Sequence, residues 1–384
     1  MPSLLRDRPA SSAEMLAVFD DAALLRAALD FEAALARAEA AEHIIPPAAA
    51  EAIARVCASA DFDVPMLADA AAHAGALAIP LVELLRARVA EIDGGAADFV
   101  HFASTSQDVA DTALMLQARA GAALIRRDGE ALADALAALA ERHAETPMLA
   151  RTLMQGALPI TFGLRVANWL LGVDGALARF EREAVLAIRL QLGGPAGSLG
   201  ELTAAVVERV AADLQLPAPL LPWHARREAL AGLASALAIV TGAVGKIARD
   251  VALMAQNEVG EALEPRVAGR GGSSAMAGKR NPTGCQVALS AAARAPGLCA
   301  GILTALPQEQ ERGLGGWQAD APALTALFEL THGALKAMRP VIEDLEVDRD
   351  AMARNLEHAA RGRAGQRAGD LVRLALSDRR KSAR

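Results

Sequence analysis

The most regular hydrophobic pattern in the chain lies between residues 230 and 254. Apolar side chains recur there on one helical face, at Leu230, Leu233, Leu237, Val240, Val244, Ile247, Val251 and Met254. This heptad spacing predicts a helix of ~35 residues, roughly 50 Å long. Such a stripe needs partner helices along its whole length. The pattern therefore predicts an elongated bundle whose helices come from within the subunit and from other subunits.

Helical periodicity continues through most of the chain. Ser11 and Glu14 have the spacing of a capping box, which predicts a helix from there to about Ala41. A long proline-free helix is predicted over about 107–145, a second up to about 190, and a third over about 284–306. We therefore expect three parts: an N-terminal helical domain (1–95), a central long-helix bundle (96–338) and a short C-terminal helical segment (339–384).

Composition supports an all-α fold and excludes some functions. Hydrophobic residues make up 53% of the chain, tyrosine is absent, and strong helix formers dominate. The net charge is −7 and aromatic residues make up 3%, which argues against a nucleic-acid partner. An anionic ligand would therefore be held by a local cluster of cations.

Cysteine usage and the apolar segments bear on the compartment. The three cysteines lack zinc-like spacing, so we expect a reducing cytoplasm and no metal site. The N-terminus has no apolar core of signal-peptide length. The uncharged run 229–245 approaches membrane length, but its amphipathic pattern favours a buried helix, and no membrane role is expected.

Three polar segments interrupt the helical pattern and are the candidate sites. The first polar segment (101–108) contains His101, Thr105 and Ser106 just before a long helix, where hydroxyls and free N–H groups can bind an anion or simply cap the helix. The second polar segment (151–155) contains Arg151, Thr152 and Gln155.

The third segment is the glycine-rich loop (269–284), GRGGSSAMAGKRNPTG. It combines Ser273, Ser274, Lys279 and Asn281 with glycines that let backbone N–H groups approach an anion. On composition alone, a flexible surface loop is an equally good interpretation of this segment.

The glycine-rich loop resembles the GSSxMPxKxNP signature of the fumarase/aspartase superfamily. The flanking strings are most similar to the bacterial 3-carboxy-cis,cis-muconate cycloisomerases, over about residues 12 to 350. These strings are VHFASTSQDVADTALMLQ, QLGGPAGSLGEL, LLPWHARREALAGLASALA, GKIARDVALMAQNEVGEALEP and PQEQERGLGGWQA.

This resemblance implies an elongated bundle of the fumarase/aspartase type with small helical N- and C-terminal domains, assembled as a homotetramer. It implies active sites built from three segments of three different subunits. The implied reaction needs no cofactor: an intramolecular lyase lactonises a small tricarboxylate, 3-carboxy-cis,cis-muconate, in protocatechuate catabolism by the beta-ketoadipate pathway.

The resemblance also implies roles for individual residues. Ser273 is the implied proton donor, and Lys279 and Asn281 hold the carboxylate whose charge doubles in the transition state. The implied ligands of the other carboxylates are Thr105, Ser106, Arg151, Thr152, Gln155, Ser274 and Arg312, with a hydrogen bond from His101. Structural alternatives are interfacial ion pairs for the two arginines, helix capping for Gln155 and turn formation for Ser274.

Two departures from the superfamily pattern affect the function. Fumarate-releasing lyases usually read Arg-Thr-His in the second polar segment, whereas this chain has Leu153 in place of the histidine. A leucine cannot transfer a proton, and lactonisation does not need that acid because the reacting carboxylate is already ionised. In the glycine-rich loop, Ala277 replaces the family proline, and we expect a looser loop.

Two other readings stay open from the sequence. One is an elimination lyase of the same superfamily, acting on adenylosuccinate or a similar succinyl compound. The other is a catalytically silent helical assembly. Leu153 argues against the first, and the retained Ser, Lys, Asn and Arg set argues against the second.

Overall fold

The computed structural model describes residues 4–272, 275–276, 278–359 and 367–382. These residues form mainly α-helices with two short antiparallel sheets. The helices are α1 (Leu4–Asp7), α2 (Ala13–Val18), α3 (Asp21–Ala41), α4 (Pro47–Ser59), α5 (Val64–Ala74), α6 (Ala78–Ala90), α7 (Ser106–Arg142), α8 (Phe162–Ala187), α9 (Ala204–Asp213), α10 (Glu228–Met254), α11 (Thr283–Thr304), α12 (Gly316–Glu343), α13 (Arg349–Ala359) and α14 (Ala368–Ser382). The strands are β1 (Pro147–Thr152), β2 (Gln155–Thr161), β3 (Ala262–Leu263) and β4 (Glu346–Val347), and a 3-10 helix covers Ala96–Phe99.

Five long helices form the central bundle. Helix α7 packs on α8 and α12, and α10 packs on α8, α11 and α12. All eight residues of the predicted stripe on α10 are buried, which confirms the pattern. Helix α10 has 27 residues, or ~40 Å, and is shorter than the predicted ~35 residues because it begins at Glu228 and ends at Met254. The all-α prediction is confirmed.

The bundle has two ends, and each polar segment lies at one of them. At the first end, the start of α7 meets the start of α10 through Gln107 Nε2, which donates to the carbonyl of His224 at 2.9 Å. At the second end lie the end of α7, the β1–β2 hairpin and the start of α11. Helix α7 has 37 residues, so the two ends are ~55 Å apart.

The β1–β2 hairpin was not predicted. The sequence predicts a helix directly after the second polar segment. In the structure, β1 and β2 pair antiparallel there, from Pro147↔Thr161 to Thr152↔Gln155. Its two turn residues, Leu153 and Met154, have φ of 50° and 66°. A left-handed turn of this kind usually contains asparagine and glycine, so the sequence lacked the normal hairpin signal.

The N-terminal helix also differs from the prediction. Ser12, not Ser11, caps α2, because its Oγ accepts a hydrogen bond from the Met15 N–H at 2.9 Å. The helix ends at Val18, and Asp20 caps a new helix by accepting from the Ala23 N–H at 2.8 Å. Helix α3 then packs on α4, α7 and α9.

Two helices in the described part of the chain are long and apolar enough to cross a membrane by length and composition, α10 and α11. In α10, 61% of the most apolar window is buried, as expected for the core helix of the bundle. In α11 that share is 28%, so much of this helix faces outward from the subunit.

Candidate active site

The first polar segment is held at the N-terminus of α7. Thr105 is the N-cap residue, and its N–H donates to Asp108 Oδ2 at 3.1 Å. Arg312, from the chain between α11 and α12, donates from Nη1 to Thr105 Oγ1 at 2.5 Å. Ser106 is the first residue of the helix and is half-buried. The fold therefore brings Thr105, Ser106 and Arg312 together.

The Asp108 carboxylate holds the first polar segment in place. This fully buried carboxylate accepts hydrogen bonds from the N–H groups of Gly193 and Gly194 at 3.0 and 2.9 Å. It also contacts His224 Nε2 at 2.7 Å. Gly194 has φ of 72°, and a Cβ there would lie 2.8 Å from the Ala103 carbonyl oxygen. One carboxylate thus fixes the position of the first polar segment against two distant loops.

His101 is paired with a buried carboxylate of the N-terminal helices. Its Nδ1 lies 2.6 Å from Glu32 Oε1 on α3, and the Glu32 side chain is 1% exposed. Burial opposes the charged imidazole, but the Glu32 charge and hydrogen bond outweigh it and raise the pKa of His101. Asp108 adds to this effect and Arg86 opposes it. A cationic His101 could offer a hydrogen bond to a carboxylate.

The second polar segment lies at the tip of the hairpin. Arg151 forms two hydrogen bonds with the fully buried Glu261, both at 2.8 Å. Thr152 and Gln155 pair across the turn and are exposed. Leu153 is 96% exposed, which places the leucine at the very tip of the hairpin.

The glycine-rich loop is closed at its base by Glu264. This carboxylate accepts from the N–H groups of Gly284 and Cys285 at 3.0 and 2.8 Å, at the start of α11. Asn281 donates its backbone N–H to the Gly271 carbonyl at 2.8 Å and its Nδ2 to the Gly272 carbonyl at 3.3 Å. A cavity of about 180 Å³ is lined by the loop, with Lys279, Arg280 and Arg270 among its walls.

Lys279 is exposed, and its ammonium has no hydrogen bond or ion pair to another described residue. It is therefore available to a ligand. Ser273, Ser274 and Ala277 lie outside the described residues, so the expectations about the proton donor, its neighbour and the looser loop stay predictions.

The three segments do not meet within one subunit. The first polar segment and Arg312 lie at the first end of the bundle, while the hairpin and the glycine-rich loop lie at the second end. Glu261 and Glu264 flank β3, so a single short strand connects the anchors of the hairpin and the loop.

Several supporting residues were missed from the sequence. Asp108 follows Thr105 by three positions, a capping-box spacing that could have identified it. No sequence pattern identifies Glu32 and Glu261 as supports of the site, because their partners His101 and Arg151 lie 69 and 110 residues away in the chain.

Among the described residues, no group of three or more histidine, cysteine, aspartate or glutamate side chains could hold a metal ion. The ionisable groups of the site are instead arranged as pairs, with carboxylates positioning His101 and Arg151.

The long-helix bundle with polar segments at its ends defines a lyase of the fumarase/aspartase type. The chain belongs to the lyase family, whose sequence model matches residues 9–297. It is 48% identical over 350 residues to the 3-carboxy-cis,cis-muconate cycloisomerase of Bradyrhizobium diazoefficiens, covering 90% of this chain and 78% of that protein.

Two further relatives extend the comparison. A nitrosuccinate lyase of Streptomyces davaonensis is 40% identical over 352 residues, covering 89% of this chain and 74% of that protein. The crystal structure of the 3-carboxy-cis,cis-muconate lactonizing enzyme from Pseudomonas putida superposes with a TM-score of 0.89 at 38% identity, covering 100% of this chain and 89% of that one. The resemblance inferred from the sequence is confirmed.

Proposed function

We propose that this protein is an isomerase that lactonises 3-carboxy-cis,cis-muconate to carboxymuconolactone, in the breakdown of protocatechuate by the beta-ketoadipate pathway. The observation that carries the proposal is the 48% identity to a cycloisomerase across 90% of the chain. Leu153 at the hairpin tip supports it. Elimination lyases use a histidine as an acid at this position, and a leucine side chain cannot transfer a proton.

The reaction is a rearrangement within one molecule. An ionised substrate carboxylate forms a C–O bond to one carbon of a conjugated double bond, and the electron pair moves to the carbon beside a second carboxylate. That carboxylate becomes an aci-carboxylate with two negative charges. A proton then adds to the carbon, so the product dianion has one proton more than the substrate trianion, and solvent returns that proton to the donor. Counted as free acids, substrate and product are isomers.

The loop residues have distinct tasks in this scheme. Ser273 delivers the proton to the carbon, and loop N–H groups and Lys279 stabilise its alkoxide form. The Lys279 ammonium, which pairs with no side chain in the described part of the chain, and the Asn281 amide bind the doubly charged carboxylate. The remaining carboxylates are bound by Thr105, Ser106, Thr152, Gln155, Ser274 and Arg312, with His101 donating one hydrogen bond. Arg151, the other ligand that the resemblance implies, is paired with Glu261.

The active form is proposed to be a cytoplasmic homotetramer with sites shared between subunits. The ~55 Å between the two ends of the bundle supports sharing, because one chain cannot place Thr105 beside Lys279. The outward face of α11 supports close helix packing between copies: it exposes small residues, and a Cβ added at Gly297 or Gly301 would meet no atom within 4 Å.

An elimination lyase acting on a succinyl compound is the alternative. One relative of this chain, at 40% identity, is a nitrosuccinate lyase, so proteins of this similarity include lyases as well as cycloisomerases. Within this chain, Leu153 counts against that chemistry, because elimination would lose its usual acid.

An activity assay tests the function. The purified protein is incubated with 3-carboxy-cis,cis-muconate, and loss of the conjugated-diene absorbance is followed for the wild type, Ser273→Ala and the control Ser59→Ala, which changes an exposed serine at the end of α4. We expect loss of activity only in Ser273→Ala. An inactive wild type sinks the cycloisomerase proposal, whereas full activity of Ser273→Ala removes the serine from the mechanism.

The assembly has its own test. Gly301→Glu places a charge on the exposed face of α11, and the control Ala68→Glu places one on the exposed side of α5. Light scattering after size-exclusion chromatography should show a tetramer for the wild type and the control, and smaller species for Gly301→Glu. A monomeric wild type with full activity would contradict the shared site.

A further inference from the structure

A basic cavity lies beside the hairpin at the second end of the bundle. Its volume is about 740 Å³, within the range of small-molecule sites. Its walls come from the hairpin, the first two turns of α8 and the last turns of α10. Four cationic side chains line it, Arg151, Arg165, Lys246 and Arg249, against one acidic side chain, Asp250.

Two of the four cations already have partners. Arg151 has both terminal nitrogens on Glu261, and Lys246 lies 2.6 Å from the Asp250 carboxylate. Asp250 also accepts a hydrogen bond from Trp169 Nε1 at 2.8 Å. The only carboxylate among the lining residues is therefore occupied.

Arg165 and Arg249 have no such partner. Neither guanidinium makes a hydrogen bond or ion pair with any described residue. Arg249 is exposed, whereas Arg165 is half-buried. A charge that is partly removed from water and left unpaired costs free energy, and an anionic ligand would recover it.

The surroundings of Arg165 favour an anion further. It lies in the first turn of α8, where the helix dipole is positive and a cation is unfavourable without a counter-charge. Burial lowers the pKa of Arg165; Asp250 and Glu261 oppose that shift, and Arg151 adds to it. The group nevertheless stays protonated, since arginine has no accessible neutral form in proteins.

We propose that Arg165 is a carboxylate-binding residue of the active site, in the role that the family resemblance implies for Arg151. Arg151 instead holds the hairpin in place through Glu261. Arg165 presents a planar fork that can pair with one carboxylate of a di- or tricarboxylate through two hydrogen bonds. The identity of the ligand rests on the proposed function, but the binding site itself does not.

The test uses the full chain with Arg165→Met and Arg165→Lys. The control is Arg182→Met on the same helix, where the arginine is 67% exposed and pairs with the adjacent Glu183. KM for 3-carboxy-cis,cis-muconate should rise roughly 10- to 100-fold in Arg165→Met, with a smaller change in kcat. Arg165→Lys should lie between, because it keeps the charge and loses the fork. The control should match the wild type.

Direct binding separates this proposal from the proposed function. Propane-1,2,3-tricarboxylate is titrated into wild type, Arg165→Met and the control by isothermal titration calorimetry. Weaker binding in Arg165→Met alone supports the site, even if the wild type does not turn over the muconate. Unchanged KM and unchanged binding overturn it, and so does a wild type that binds no tricarboxylate.

The oligomeric state is measured on the same samples by sedimentation velocity. An intact assembly together with weaker binding supports a ligand role for Arg165. Dissociation of Arg165→Met into smaller species overturns the proposal, because Arg165 would then pair with a carboxylate of another subunit.

Discussion

Arg151 and Glu261 form a two-pronged ion pair across 110 residues of sequence, with Nη1 on Oε2 and Nη2 on Oε1. Asn355 Nδ2 also donates to Glu261 Oε1 at 2.9 Å. The pair attaches the hairpin to the segment that leads into the glycine-rich loop. It therefore links two of the three segments of the site within one subunit.

Removing the arginine should destabilise the protein. In Arg151→Met the fully buried Glu261 loses its charged partner, and breaking a buried pair in this way costs about 3–5 kcal/mol. Because Arg151 is 27% exposed, we expect a value near the lower limit. Urea unfolding followed by circular dichroism, at one fixed protein concentration, measures it.

The double variant Arg151→Met/Glu261→Gln is the control. It removes the Glu261 charge that the single variant leaves buried without a partner, and it should recover more than half of the lost free energy of unfolding. If the single variant is as stable as the wild type but has a raised KM, the result would instead show that Arg151 binds the substrate.

Asp108 should be sensitive to loss of its charge alone. Asp108→Asn keeps the shape but turns an amide NH₂ towards donors, among them the Gly193 and Gly194 N–H groups. We expect a loss of about 3 kcal/mol in stability and a fall in kcat/KM, since Thr105 loses its support. Asp98→Asn, at an exposed site, should change neither quantity. Equal behaviour of the two variants would remove Asp108 from this role.

The hairpin turn should be improvable. Leu153 and Met154 occupy left-handed conformations that cost roughly 1–2 kcal/mol per residue for side chains of this type. Leu153→Asn/Met154→Gly supplies the residues that favour such a turn and should raise the melting temperature. Leu158→Asn, an exposed position of β2 without positive φ, should not raise it. A lower melting temperature in the double variant would contradict the turn geometry.

Glu39 should make the protein less stable as the pH rises. It is fully buried, and neither side-chain oxygen has a hydrogen-bond partner among the residues that the structure describes. Burial, followed by the nearby Glu32 charge, raises its pKa to about 9. Between its ordinary pKa of 4.5 and about 9, the unfolded chain has released this proton and the folded chain has kept it. Stability therefore falls as pH rises through this range, by about 1 kcal/mol per pH unit.

Glu39→Gln stays neutral at every pH and should remove this contribution. Unfolding free energies measured from pH 5 to pH 8 should coincide near pH 5 and diverge upward for the variant. The exposed Glu51→Gln on α4 should follow the wild type. Parallel curves for wild type and Glu39→Gln would show that Glu39 is ionised in the folded protein.

Much of the architecture was predictable because it depends on local periodicity. The α10 stripe has a helical period, and a buried face follows from that period whatever the partners are. The three polar segments were also identifiable, since glycines, prolines and clustered polar side chains interrupt the helical pattern. The chemical roles of residues in the glycine-rich loop followed only from its resemblance to the superfamily signature.

The tertiary structure decided which of those polar groups remain free for a ligand. The sequence by itself determined that cations such as Arg151 and Lys279 lie in polar segments. It did not determine that Glu261 pairs with Arg151, or that Lys279 has no ion pair with any residue that the structure describes. It also did not predict the hairpin, whose turn residues are atypical. The physical reason is that ion pairs and strand pairing join residues far apart in the chain, and those distances appear only after the helices have packed.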